Sequence, residues 1–320
     1  MAAEAHTTNS LFEEPYWLDA VSPGNWDCVE VRREGRLLGR MPFVLKRRYG
    51  LSAVSTPSYT PWLGPWICET KARGSNELGH QHDILGQLVA GLPKASRTLV
   101  ACAPEVSNLM ALHWAGYTLQ LAYTFRLTGL DAPDALWKGL RDKTRNTCRK
   151  AEKTIVINTG RSLSEVLPVL DKTYQRQGVD FSSRNCVLER IDATMAARGQ
   201  RIIYSAEDAQ GRIHAFVYVV FDERHSFYLA GGGDPELRNS GAQALAMWHA
   251  IKNAGQHSRI FDFEGSMIPA IEHFVRGFGP VLTPRYAGRL NSPALQAADA
   301  LQRLVKSLPS TLGLRRSPKH

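Results

Sequence analysis

A strand, a run of glycines and a helix follow one another in residues 227–252, which read FYLAGGGDPELRNSGAQALAMWHAIK. Glycine has no Cβ, so the three consecutive glycines allow a ligand to approach the main chain closely. Free amide groups and the dipole at the start of the helix suit a phosphate or pyrophosphate. The same sequence is also compatible with a β-bulge, a proline-containing turn and an Asn/Ser helix cap. The candidate anion-binding residues are Arg238, Asn239, Ser240, Gly241 and Ala242.

The next motif is FDFEGS at residues 261–266, which is predicted to begin as a strand. Strand alternation places Asp262 and Glu264 on one face and the two phenylalanines on the other. Two carboxylates at one end of a strand shift each other's pKa, so one of them is a candidate general base. The alternative is structural: Asp262 accepts hydrogen bonds and Glu264 caps the following helix.

A short helix is predicted over residues 269–277, where HFVRGFG ends in a glycine that is typical of a C-cap. The two phenylalanines of this motif are expected in the core. Arg276 either binds a phosphate or carboxylate group or is simply solvated.

Residues 134–153 are predicted to form one long helix that carries a basic face. Lys138, Arg141, Arg145 and Arg149 are spaced at i, i+3, i+7 and i+11, and residues 137–153 contain seven basic side chains and two acidic ones. Such a ridge fits the phosphates of an RNA. It also fits a solvated helix face that links two domains.

The order of the elements predicts a mixed α/β (α+β) protein of two domains. Residues 28–33 and 37–47 read as a hairpin with a turn at Glu34-Gly35, residues 52–65 read as an irregular loop, and residues 80–92 read as a helix. The pattern breaks at residues 130–134. We therefore predict an N-terminal domain at residues 1–130, a second domain at 131–308 and a disordered basic tail at 309–320.

The composition limits the kinds of binding partner and the cellular compartment that we expect for this protein. The chain of 320 residues has 39 Lys and Arg against 30 Asp and Glu, a net charge of +9. This excess favours a polyanionic partner, namely RNA, a nucleotide or coenzyme phosphate, or an anionic membrane face, although a soluble basic enzyme has the same balance. Five scattered cysteines, no export signal and no long apolar run predict a cytoplasmic protein without stable membrane insertion. No metal-binding spacing is visible.

Three segments at residues 140–153, 231–252 and 261–280 together resemble the FemAB-like and BioF2-like branch of the GNAT acyltransferase superfamily. The resemblance implies two tandem GNAT-like domains, each a mostly antiparallel twisted sheet flanked by helices. It also implies transfer of an acyl group, often an aminoacyl group from charged tRNA, to an amine.

Two departures from the family pattern affect the expected donor. The acyl-CoA loop of GNAT enzymes reads Q/R-x-x-G-x-G/A; Arg238, Gly241 and Ala242 approach it, but Gln243 stands where Gly or Ala is expected. Peptidyl transferases that use tRNA carry Phe-Lys-x-Gly-Phe-Gly, and here Val275 replaces the lysine. Valine cannot donate to an oxyanion, so either Arg276 compensates or the mechanism differs.

The resemblance therefore predicts an N-acyltransferase with an amine acceptor, with acyl-CoA ranked ahead of aminoacyl-tRNA as co-substrate. The alternatives are a tRNA-dependent peptidyl transferase of FemAB type and a non-catalytic GNAT-like module that binds RNA or protein. No metal and no permanently bound cofactor are expected. The acceptor and the oligomeric state are not determined by the sequence. The expected roles are general base for Glu264, general acid for Tyr228, oxyanion contact for Arg276, donor phosphate binding for Arg238, Asn239, Ser240, Gly241 and Ala242, and substrate or RNA binding for Arg141, Arg145, Arg149 and Asp262.

Overall fold

The computed structural model describes residues 6–70, 73–176, 182–265 and 267–297. The tail predicted at 309–320 lies outside these ranges. The strands within them are β1 Trp26–Arg33, β2 Arg36–Arg48, β3 Leu51–Ser55, β4 Trp66–Ile67, β5 Arg97–Ala101, β6 Thr118–Leu127, β7 Val156–Asn158, β8 Arg201–Glu207, β9 Ile213–Phe221, β10 His225–Gly233, β11 Ile260–Asp262 and β12 Val281–Asn291. The helices are α1 Pro15–Val21, α2 Ser75–Ala90, α3 Met110–Trp114, α4 Pro133–Gly139, α5 Asp142–Ala151, α6 Leu163–Arg176, α7 Ser182–Ala197, α8 Ala242–Ala254 and α9 Pro269–Val275.

The strands join into one sheet in the order β1-β2-β3-β5-β12-β6-β11-β10-β9-β8-β7, and β4 pairs with β2 outside this path. Neighbouring strands are antiparallel except for the pairs β3–β5 and β10–β11, which are parallel. Helices cover both faces. The predicted α/β fold, with mostly antiparallel sheets flanked by helices, is confirmed.

The last strand, β12, pairs with strands from the first half of the chain. β12 lies between β5 and β6, and both neighbours come from the first 130 residues. Its eleven residues pair with β6 over nine positions and with β5 over five. The two halves are therefore continuous through shared strands. The domain boundary at residue 130 stays a prediction.

The predicted hairpin is confirmed, and one predicted loop is wrong in part. Glu34 and Gly35 both have positive φ, 50° and 80°, as a tight turn between two twisted strands requires. Residues 51–55, in contrast, form β3 instead of irregular loop. This segment pairs with β2 on one side and with β5 on the other, so tertiary pairing decides its conformation.

The predicted long helix at 134–153 is wrong, because the chain breaks between α4 and α5. Leu140 and Arg141 have extended backbones, with ψ of 147° and 145°. Leu140 is buried, and the amide of Arg141 donates to the carbonyl of Gly277 at 3.0 Å. The chain changes direction at this break. The four basic residues predicted to share one helix face therefore do not, because Lys138 lies in α4 and the other three lie at the start of α5 or within it.

Two apolar cores fill the space between the helices and the second half of the sheet. One lies under α1, α6 and α7 and includes Phe216, Tyr218 and Phe227. The other lies under α5 and α8 and includes Val217 and Phe261. A third core fixes α2 and α3 against the first half. None of the helices described is both long and apolar enough to cross a bilayer.

Candidate functional site

Strands β10 and β11 run side by side in parallel for three residue pairs and then separate. The last pair joins Phe227 to Asp262. Beyond it, the amide of Phe263 donates to the carbonyl of Phe125 on β6. β10 shifts register against β9 directly after Tyr228, as a strand does at a β-bulge. The sheet therefore opens at the carboxyl ends of β10 and β11.

Helix α8 begins at this opening, because it forms the crossover that joins β10 to β11. Its N-cap is Gly241, with φ of +76°. A Cβ at Gly241 would lie 2.7 Å from Cγ2 of Thr147, so α5 packs directly against the start of α8. Glycine is required here both for the left-handed backbone and for the close approach of α5.

The predicted anion-binding residues lie at this helix start. Residues Arg238–Ser240 form a single 3₁₀ turn, and the Arg238 and Asn239 side chains are exposed. The amide of Ala242 donates to Oγ of Ser240 at 3.3 Å, so this first amide of the helix has a partner within the preceding turn. The arrangement leaves the cation of Arg238 on the solvent side of a positively polarised helix end.

The loop between β10 and the 3₁₀ turn is fixed by a buried carboxylate. Asp234 accepts hydrogen bonds from the amide of Glu236 at 2.9 Å and from Nζ of Lys172 at 2.6 Å. Its own amide donates to the carbonyl of His214. The hydrogen bond from Lys172 lowers the pKa of Asp234, so this residue holds the loop as an anion.

Glu264 lies just beyond β11 in a strained backbone, with φ of +56°. The residue is half-buried, but its Oε1 is shielded from solvent and has no hydrogen-bond partner among the described residues. Burial raises the pKa of Glu264 well above 4.5, and the nearby charge of Asp262 raises it further, while Arg285 opposes the shift. An isolated carboxyl of this kind is a stronger base than an exposed one.

Asp262 is completely buried and fixes the position of Glu264. Its Oδ1 accepts from Oγ1 of Thr124 at 2.5 Å and from the amide of Glu264 at 2.9 Å, and its Oδ2 accepts from Nε of Arg126 at 2.7 Å. The side chain therefore contacts protein groups on three sides. The binding role predicted for it stays untested, and its position in the interior gives it structural contacts.

The remaining candidates for catalysis, Tyr228 and Arg276, have different surroundings. Tyr228 packs with the core under α8, and its hydroxyl lies over Gly231, where a Cβ would be 2.5 Å away. Val275 is 1% exposed, whereas Arg276 is half exposed and pairs with Glu272 at 3.0 Å. Arg276 thus points to the surface while the neighbouring valine faces the core.

The three arginines of the basic segment have different surroundings. Arg141 is the exposed N-cap residue of α5. Nη1 of Arg145 donates to the carbonyl of Lys138 at 2.7 Å and also to that of Leu140, so it binds the C-terminal carbonyls of α4. The guanidinium of Arg149 lies 5.7 Å from the ring centroid of Trp137. Their roles in substrate or RNA binding stay predictions.

Sequence reasoning missed the charged residues that strands β6 and β12 bring to this site. Arg126 bridges Asp262 and the Glu105 carboxylate from β6, and Arg285 reaches toward Glu264 from β12, with Nη1 3.2 Å from the carbonyl oxygen of Pro61. The sequence did contain a signal for Arg126, because it is a charged residue within the otherwise largely apolar strand segment YTFRL at residues 123–127. Within the described ranges, no three His, Cys, Asp or Glu side chains are grouped as metal ligands.

Comparison with protein families places residues 138–267 in the acetyltransferase (GNAT) domain family. This range contains α5, the separating strands β10 and β11, the start of α8, and Glu264. A search of curated proteins found no match.

Solved structures share the fold over most of the chain. A structure of FemX is 14% identical, with a TM-score of 0.68 over 92% of this chain and 95% of that one. A tandem GNAT protein from the clavulanic acid biosynthesis pathway is 12% identical, with a TM-score of 0.50 over 83% and 82%. The C-terminal domain of a putative lysylphosphatidylglycerol synthetase from Agrobacterium fabrum is 14% identical, with a TM-score of 0.51 over 89% and 90%. At these identities the likeness shows the fold.

Proposed function

We propose that this chain, which is a GNAT-type acyltransferase with a GNAT domain at residues 138–267 and a FemAB-like tandem fold, transfers an acyl group from acyl-CoA to an amine. The observation that carries the proposal is the opening between β10 and β11. The start of α8 and the solvent-shielded carboxyl of Glu264 lie at the same end of these strands. One element suits the phosphates of the donor, and the other suits proton removal from the acceptor.

Conversion of the acceptor ammonium into the product amide removes two protons from the nitrogen, and the leaving thiolate takes up one. The Glu264 carboxylate takes the first proton, and the free amine nitrogen attacks the thioester carbonyl carbon. The new C–N bond forms, the C–S bond breaks, and the released CoA thiolate takes a proton from the Tyr228 hydroxyl. The nitrogen gives its second proton to the Tyr228 phenolate through solvent, and Glu264 returns its proton to solvent. Positioning of the two substrates supplies most of the rate gain.

The raised pKa of Glu264 sets the pH dependence of this step. Burial, the largest cause, makes its carboxylate a stronger base but leaves more of it protonated at low pH. Activity therefore rises with pH as Glu264 loses its proton. Asp262 acts as a positioning residue, because its Oδ1 accepts the hydrogen bond of the Glu264 amide.

Acyl-CoA is the favoured donor because of the residue at position 275. Valine there is buried in the core, whereas tRNA-dependent transferases of the family carry a lysine at the matching position. The exposed basic residues of α4 and α5 favour the second candidate, an aminoacyl-tRNA donor, through their charge. Arg238 and Asn239 would contact donor phosphate in the first case. The amine acceptor is a small molecule or a peptide.

Ligand-dependent thermal stability and turnover test the proposal together. We expect coenzyme A to raise the midpoint of thermal unfolding and purified tRNA to leave it unchanged. We expect free thiol to be released from acetyl-CoA in the presence of a panel of amines. Glu264→Gln should lower turnover about 10²- to 10⁴-fold without changing coenzyme A affinity, while Glu223→Gln, an exposed residue between β9 and β10, should have no effect.

Each other outcome points to a different conclusion. Stabilisation by tRNA alone would indicate the aminoacyl route. Full turnover by Glu264→Gln would remove this residue from the base role. Absence of both turnover and coenzyme A binding would favour a non-catalytic binding module. Arg238→Ala should mainly weaken donor binding, and unchanged affinity would show that Arg238 does not contact the phosphates.

A further inference from the structure

Six large apolar side chains in neighbouring segments of the chain and sheet are exposed to solvent. Their exposed fractions range from 40% to 67%. They come from three separate segments, namely β6, the loop that leads into α9 with the first turns of that helix, and the start of β12. We call them the apolar patch: Leu119, Leu121, Met267, Ile268, Ile271 and Leu282.

The sheet register shows that these segments are adjacent. Leu282 pairs with Phe125 of β6. Leu119 and Leu121 lie on the same face of β6 as Phe125, because side chains two residues apart in a strand point the same way. Gly265, directly after Glu264, lies against this strand, since a Cβ there would be 2.1 Å from the carbonyl oxygen of Tyr123. The patch residues of the loop and of α9 follow Gly265 by two to six positions.

Exposed basic side chains of α4 and α5 lie near the apolar patch. The amide of Arg141 donates to the carbonyl of Gly277, and a Cβ at Gly277 would meet Oγ1 of Thr144 at 2.6 Å. The junction of α4 and α5 therefore packs against the turn between α9 and β12, from which Leu282 extends. We call these exposed side chains the basic ridge: Lys138, Arg141, Lys143, Arg149, Lys150 and Lys153.

We propose that the apolar patch and the basic ridge form one docking surface for an anionic phospholipid membrane. Apolar side chains beside clustered Lys and Arg are the two contributions that hold a protein at a bilayer interface. The ridge supplies attraction to negatively charged headgroups, and the patch supplies area that is buried among the upper acyl chains. An RNA would use the ridge for its phosphates but would leave the apolar patch in water.

This docking is peripheral and independent of the acyl-transfer chemistry. The patch residues come from a loop, a short helix and the first residues of two interior strands, so they can enter only the interface. The residues proposed for acyl-CoA binding and proton transfer, Arg238, Glu264 and Tyr228, belong to neither group. Arg141 and Arg149 of the basic ridge are also candidate RNA contacts, and the variants used below do not change them. Failure of the membrane proposal would therefore leave the proposed enzymatic function unaffected, and the reverse also holds.

Co-sedimentation of the full chain with vesicles tests the proposal directly. We expect binding to vesicles of phosphatidylglycerol and phosphatidylcholine, with much weaker binding to pure phosphatidylcholine and a loss of binding at high salt. Met267→Ser/Ile268→Ser should lower the partition coefficient about tenfold or more, because both side chains lose their buried area. Lys143→Ala/Lys150→Ala should lower it about 25-fold, at about fivefold for each removed charge.

A matched control uses exposed apolar residues at another place. Tyr49→Ser/Leu51→Ser removes side chains that are 88% and 56% exposed at the β2–β3 turn, three strands from β6, and should leave partitioning unchanged. All variants should keep the thermal midpoint of the parent protein. Absence of binding to anionic vesicles would overturn the proposal. Binding that depends on the two lysines but not on Met267 and Ile268 would also overturn it and would indicate a simple polyanion site.

Discussion

Removal of the Arg126 guanidinium tests the buried ion pair that supports the end of β11. The Arg126 side chain is 9% exposed and its partner Asp262 is fully buried, with Nε and Oδ2 2.7 Å apart. Arg126→Met keeps the approximate length of the side chain but leaves the Asp262 charge with hydrogen bonds from Thr124 and the Glu264 amide alone. Breaking a buried pair from one side costs about 3–5 kcal/mol. We expect a loss of this size in the free energy of unfolding.

Urea unfolding at neutral pH, followed by circular dichroism, measures this loss. The double variant Arg126→Met/Asp262→Asn should recover much of it, because no unpaired buried charge is left. Arg33→Met is the control: its ion pair with Asp83 has side chains that are 55% and 49% exposed, so the change should stay within about 1 kcal/mol. A loss below about 1 kcal/mol for Arg126→Met would refute the reasoning.

Three further changes test other parts of the structure. Gly241→Ala should be less stable than Gly199→Ala by about 1–3 kcal/mol in urea unfolding. Both glycines have positive φ, but only a Cβ at position 241 meets Thr147. Equal losses would contradict the packing of α5 against the start of α8. Burial raises the pKa of Glu13 to about 7, so the folded state holds this proton more tightly than the unfolded state does. The protonated carboxyl therefore contributes to the free energy of unfolding below pH 4.5, and this contribution is lost as the pH rises through 7. Stability measured from pH 4.5 to 8 should therefore fall more for the parent protein than for Glu13→Gln, and parallel curves would exclude the shift. Arg145→Ala should cost about 1–3 kcal/mol of stability, since it frees carbonyls at the end of α4; loss of tRNA affinity without loss of stability would instead support the RNA-binding role.

Local patterns in the sequence predicted those features that depend on near neighbours. The Glu34-Gly35 turn was predicted from its place between two strand-like segments, and both of its residues have positive φ. The glycine run and the helix after it were also predicted, since their conformations are set within about twenty residues.

Features that depend on distant partners were missed. The helix break at Leu140 requires the carbonyl of Gly277, more than 130 positions away, as a partner for the next amide. The strand at residues 51–55 forms because β5 lies beside it. For the candidate site, strand alternation predicted that Glu264 lies near Asp262, but the contacts of Arg126 and Arg285 follow from the sheet order, which no local pattern contains.

The position of β12 between β5 and β6 also bears on biosynthesis. Residues 97–101 and 118–127 leave the ribosome long before residues 281–291, so the gap between these two strands stays unfilled during most of translation. A fragment that ends near residue 130 lacks the strand that joins them, and we expect it to be unstable or prone to aggregation when it is expressed alone. Supplying residues 281–291 after the sixth strand through a designed linker should restore it.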